Sequence, residues 1–235
     1  MKEALELFNK YYENFDSSLW GVDYKYHHTM RVVDYCKDIA QSINLNEEDT
    51  ELAMLCGLFH DIARFKQYQE YNTFEDKLSF DHGDEGYNIL KELGINDDII
   101  LESTKWHNKY AVGDVDERTK MFCDITRDAD KIDILLTQDK KCKDEEYNVP
   151  EVVIEAIKNH ELTRNMGEHK VSHVTNILRS IAFIFDINFK KSFEIIKESN
   201  VINDKFDAIL EKFDEEEIKE LKDICNKYID ERISD

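Results

Sequence analysis

The stretch GLFHDIARF, residues 57–65, closes an apolar run from Leu52 to Phe59 with a histidine and an aspartate side by side. A segment this apolar belongs inside a fold, and an unpaired ionisable group there costs several kcal/mol. Something must offset that cost, and a metal ion is one candidate. The dipeptide alone is weak, because a chain with eight histidines and many aspartates yields about one His-Asp pair by chance. Its weight comes from what surrounds it.

Working outward, the apolar spacing is helical nearly throughout. Leu5, Phe8, Tyr12 and Phe15 step by three and four, and a second helix is expected over about 23–42. Asn46 reads as an N-cap, with Glu47, Glu48 and Asp49 placed at the positive helix end. The helix it opens is apolar on most sides and should pass through the centre of the fold. Residues 65–82 lose this period and read as a loop or short-helix excursion rich in aromatics, of the kind that often borders a site. Helices resume at about 83–93, 97–108 and 117–138. The charged stretch ending at Pro150 reads as a solvated connection, and three or four more helices follow, one over 171–186 and a last one stepping Ile218, Leu221, Cys225, Tyr228. The expected fold is all-α. A core is expected over 1–140 and a helical extension packed on it over 141–235, the two possible as one continuous domain.

Composition narrows the function. A formal charge of −21 repels a phosphate backbone, which argues against a nucleic-acid duplex or an anionic membrane surface as partner. No run of 18 apolar residues is present, and a cytoplasmic protein is expected. Five cysteines, odd in number and scattered, argue for reduced thiols, with Cys56 a small core residue. One proline and seven glycines leave no G-x-G-x-x-G or Walker A loop.

Five strings carry the remaining chemistry: HHTMRVV at 27–33, HD at 60–61, DHGDEG at 81–86, KWHN at 105–108 and RDADKID at 127–133. They are spaced so that each can come from a different helix or helix end, as bundles build metal sites. Helix phase puts His28 on the face of Val32, Tyr35 and Ile39, pointing inward, and His27 outward with Arg31 and Asp34. His107 is in phase with Ile100 and Thr104, and Asp130 with Ile134, whereas Asp128 and Asp133 read as more exposed. The plain alternatives are a hydrogen-bonded core histidine for His28, and for Asp130 a buried pair with Arg127 or Lys131.

In their order, a His, a His-Asp doublet, two further His and an Asp, these residues resemble the HD-domain metal-dependent phosphohydrolases. The flanks HTMRV, HDIARF and DADK match too, and the resemblance covers about residues 24–135. It implies an HD-type helical bundle with additional C-terminal helices, in which His28, His60, Asp61 and Asp130 hold one metal. In the family's binuclear pattern His82 and His107 hold a second metal and Asp61 bridges the two; in the mononuclear pattern such histidines touch the substrate phosphate. Both stay open, and the presence of both histidines favours the first. The implied cofactor is one or two divalent transition metals, among Fe, Mn, Zn, Co and Ni, with Mg an option for a mononuclear site. The implied chemistry is attack of a metal-activated water on a small phosphoester or phosphoanhydride, nucleotides foremost. Asp61, Lys131 and Arg64 are the catalytic candidates, the latter two to hold a phosphate or leaving group; a plain salt bridge is the alternative for Lys131, and a surface or supporting role for Arg64. Asn108 and Asp81 are weaker supporting candidates.

Three histidines stand apart. His169 and His173 are four residues apart without the glutamate of H-E-x-x-H, and read as exposed rather than metal-binding. His160 reads as a helix C-terminal capping group. Two other functions fit the same residues: a di-iron oxygenase on a small organic substrate, and a non-catalytic metal- and nucleotide-binding sensor. A homo-oligomer is also left open.

Overall fold

The computed structural model describes residues 1–163 and 171–234, and every regular element among them is a helix, so the fold is all-α. In order these are α1 Lys2–Tyr12, α2 Trp20–Ser42, α3 Glu47–Phe59, α4 Ala63–Tyr71, α5 His82–Glu92, α6 Asp98–Trp106, α7 Glu117–Thr137, α8 Glu151–Lys158, α9 His173–Ile181, α10 Lys190–Glu198, α11 Val201–Leu210 and α12 Glu216–Ser234. Among the described residues no helix is long and apolar enough to cross a membrane.

Capping chemistry sets the ends of these helices. Asn46 accepts the Asp49 N–H at 2.8 Å and starts α3. Asp81 and Asp97 do the same for α5 and α6. Asn44, Gly94 and His160, all at positive φ, end α2, α5 and α8. At each, the next residue donates back to a carbonyl of the last turn: Leu45 to Ala40, Ile95 to Leu90, Glu161 to Ala156. These are Schellman ends, which satisfy carbonyls the helix leaves unpaired. His160 therefore ends its helix, as expected of a C-terminal capping residue, and does so through its left-handed backbone.

Two compact units divide the chain, Met1–Asp130 and Lys131–Asp235, with the boundary inside α7. In the first unit α2 packs along α3, α5 along α6, and α3 also meets α6. Phe8 of α1 closes this core against Phe59 and Phe65, with ring centroids 6.5 and 5.6 Å away. The excursion expected over 65–82 begins as α4, ends it with left-handed Asn72, and then makes a 3-10 turn over Asp76–Leu78.

Among the described residues of the second unit, five α-helices follow Pro150, rather than three or four, and the helix expected over 171–186 starts at His173 and tightens into a 3-10 turn over Ala182–Asp186. Its start is fixed by Ser172, which accepts the Thr175 N–H, and by the Asp144 carboxylate, which accepts the N–H groups of His173 and Val174. α12 packs on α8, α10 and α11. All five cysteines are free thiols.

Lys205 of α11 is fully buried, its ammonium donating to Gln138 Oε1 at 2.9 Å and Ser180 Oγ at 3.4 Å. Burial, helped by Lys140, pushes its pKa from 10.5 down to about 8. The unfolded chain therefore binds more protons between those values, and stability rises with pH across that window; below pH 8 the penalty is fully present. The shift corresponds to roughly 3 kcal/mol, offset by about 1 kcal/mol per hydrogen bond made. Lys205→Met is expected to stabilise the protein by about 1–3 kcal/mol at pH 7, with the gain shrinking toward pH 10. Urea denaturation at both pH values checks this, and a gain that does not change with pH would contradict it.

Candidate metal centre

Helix ends place the cluster. His60 occupies the C-cap of α3, and its Nδ1 lies 2.7 Å from the Gly57 carbonyl three residues back. His107 occupies the C-cap of α6 and repeats the device, with Nδ1 2.7 Å from the Thr104 carbonyl. A carbonyl can only accept, so each Nδ1 carries a hydrogen and each Nε2 is the nitrogen turned toward the cluster. His82, the first residue of α5, has its Nδ1 2.7 Å from the Asp76 carboxylate, which fixes the same tautomer. Gly57 matters twice: besides offering its carbonyl, a Cβ there would lie 2.8 Å from Cys36 Sγ, so glycine lets α3 approach α2.

Six of the eight residues proposed from the sequence converge. His28 Nε2 lies 3.2 Å from His60 Nε2 and 3.1 Å from Asp130 Oδ1. Asp61 Oδ2 faces both of these histidines at 3.4 Å. On the other side, His82 Nε2 and His107 Nε2 are 3.0 Å apart, and Asp61 Oδ1 faces them at 3.5 and 3.3 Å. The aspartate thus has one oxygen toward each pair of histidines. His28, His60, Asp61 and Asp130 form one group able to hold a metal ion, and Asp61, His82 and His107 a second. As helix phase indicated, His28 is buried while His27 is exposed beside Asp23.

The donor set fits a cation on physical grounds. Two bare imidazole lone pairs facing each other at 3.0 Å cannot hydrogen-bond; His82 and His107 need something positive between them. Burial, reinforced by Arg64, pushes His82 down to about 4, and burial also lowers His107, so both are the neutral ligands a metal requires. Burial would lower His60 as well, but the Asp61 and Asp130 carboxylates lift it to about 9. Burial works against the Asp61 charge, yet Lys25 and His60 outweigh it and hold this carboxyl well below the usual range. Imidazole and carboxylate donors without thiolate suit first-row transition metals.

The other candidates are placed differently. Arg64 Nε lies 3.4 Å from Asp61 Oδ1, while its Nη1 donates to Gln67 and the Phe74 carbonyl. Lys131 Nζ lies 2.8 Å from the Asp186 carboxylate, the plain salt bridge. Asn108 Nδ2 bonds Asp81 at 3.0 Å and Asp76 at 3.2 Å, which ties both loops to His82. Asp128 and Asp133, expected to be exposed, are fully buried. Their helix is enclosed on most of its circumference, with Phe122, Ile125, Ala129 and Ile132 all buried, so one-face phase logic fails there. His173 stands at the start of α9, and His169 lies outside the described residues.

Sequence reasoning missed three residues. Lys25, one turn before His28, is buried with its Nζ 2.5 Å from Asp61 Oδ2; the i, i+3 spacing to an inward histidine was the available signal. Asp76 orients His82 from the 3-10 turn, where no periodicity marks it. Arg127 donates to the carbonyls of Trp106 and His107 and holds the chain that carries the latter.

The HD-domain family model matches residues 26–138, which contain all six converging residues. The chain is also similar to the symmetrical bis(5'-nucleosyl)-tetraphosphatase of Halalkalibacterium halodurans, with 30% identity over 97 residues, covering 36% of this chain and 50% of that protein. The chain thus spans about half the length of that curated relative. No solved structure matches the chain significantly.

Proposed function

We propose, from the HD-domain match over residues 26–138, that this chain is an HD-domain metal-dependent phosphohydrolase of a small nucleotide, with two divalent transition metals. The observation that carries this reading is Asp61, whose two carboxylate oxygens each face a separate pair of histidine Nε2 atoms. That arrangement suits a carboxylate shared by two ions, with His28, His60 and Asp130 on one side and His82 and His107 on the other. When bound, such ions supply Lewis acidity, which acidifies water and offsets charge on phosphoryl oxygens.

The chain's own residues supply the rest. Lys25 and Arg64 both lie against Asp61. In a chain of charge −21 they make the cluster locally hospitable to a phosphate. Buried Asp61 and the helix-pinned imidazoles keep their positions without reorganising. The tetraphosphatase likeness supports a nucleotide with a phosphoanhydride.

The test is elemental analysis of freshly purified protein together with a screen of phosphomonoesters, nucleoside polyphosphates and dinucleoside polyphosphates. About two transition-metal ions per chain and cleavage of a nucleotide anhydride are expected. Fully metal-loaded protein that cleaves none of them would refute the reading.

A further inference from the structure

A row of rings runs along α2 from solvent to the cluster. Trp20, Tyr24 and His28 are spaced one helical turn apart on one face. Trp20 stacks on Tyr24 with centroids 5.2 Å apart and planes 20° apart, and Tyr24 stacks on His28 at 6.2 Å and 12°. Trp20 is nevertheless 65% exposed. One broad face of its ring is thus open to a flat partner. The ring is also held in place: Tyr68 and Phe74 abut it at 6.0 and 6.3 Å. A Cβ at Gly21 would lie 2.3 Å from the Tyr68 ring, so glycine beside the tryptophan is what admits that support.

The two cations beside Asp61 join this shelf. Phe74 lies 5.5 Å from Lys25 Nζ and 5.5 Å from the Arg64 guanidinium, and it also touches Tyr24. Aromatic surface and positive charge therefore run as one strip from Trp20 to Asp61. Phosphate wants the charged end, and a flat base wants the open ring.

We propose that Trp20 is the base-stacking platform of the site, and that the ligand is a nucleoside polyphosphate whose base lies on the outer face of Trp20 while its phosphates run along Lys25 and Arg64 to the histidine cluster. Two ring spacings separate Trp20 from His28, so a ligand reaching both carries more than one phosphate. This rests on the phosphohydrolase reading for its phosphate end, and it adds the determinant for the base.

Binding of a matched pair of probes tests it: α,β-methylene-ADP, and methylenediphosphonate, which has the same two phosphonate groups without the nucleoside. Affinities are measured by calorimetry on Mn2+-loaded wild type, Trp20→Ala and Trp20→Phe. Stacking on an aromatic side chain predicts that Trp20→Ala weakens the nucleotide analogue by roughly tenfold or more and leaves methylenediphosphonate within about twofold, with Trp20→Phe retaining most of the difference. A purely structural role for Trp20 would shift both probes together. That outcome, no shift for either, or wild type holding both equally well would overturn the proposal. Because the assay reads binding, a protein that holds the analogue through Trp20 yet cleaves no nucleotide would sink the hydrolase reading and leave this one standing.

Discussion

Asp61→Ala is expected to empty both halves of the cluster and to lower turnover by at least about a thousandfold. Its two oxygens serve different partners, Oδ2 facing His28 and His60 and Oδ1 facing His82 and His107. Removing the carboxylate therefore takes a donor from each group at once. Metal ions in such sites supply several kcal/mol of charge stabilisation, and each 1.36 kcal/mol is tenfold in rate. The substitution also strands the buried Lys25 ammonium, which sits 2.5 Å from Asp61 Oδ2, so a loss of fold must be separated from a loss of chemistry. Asp61→Asn keeps the volume and one acceptor oxygen, and circular dichroism reports folding in both variants. Metal content by mass spectrometry and turnover on the substrate found by screening are the readouts. Either variant keeping wild-type turnover would show that the shared carboxylate is not central to the reaction.

His82→Ala separates two centres from one. His82 and His107 meet only the Oδ1 side of Asp61, so the variant should hold one metal where wild type holds two. Asp76→Asn is the graded version of the same experiment. Asp76 orients His82 through Nδ1, and loss of such a partner costs about ten- to a hundredfold in metal affinity. The second ion is therefore expected to be removed by weaker chelation in Asp76→Asn, while the ion beside His28 and His60 is unaffected. Metal stoichiometry under a chelator titration is the measurement. Two tightly held ions in His82→Ala would favour the reading in which His82 touches substrate.

The misses share a cause. Lys25 is a lysine in an amphipathic helix, and only the nearby Asp61 turns it from a surface residue into a buried ion pair. Asp76 sits in a 3-10 turn with no repeating pattern around it. Asp128 and Asp133 looked solvated because phase logic assumes one buried face, and α7 is enclosed on most sides. Lys131 sits beside Asp130 in sequence, and its ammonium lies 2.8 Å from the carboxylate of Asp186, a residue far along the chain that no local pattern points to.

The helical class, the Asn46 cap, the inward face of His28 and the order of the histidines and aspartates can all be read along the chain. Those are local matters: helix period, capping chemistry and spacing act within a few residues. That one aspartate faces two pairs of imidazoles, that Lys25 and Asp76 join them, and that an exposed tryptophan begins a row of rings leading inward emerge once the helices are packed. Such features depend on which faces of distant helices meet, and packing of the whole core, rather than any short segment, settles that.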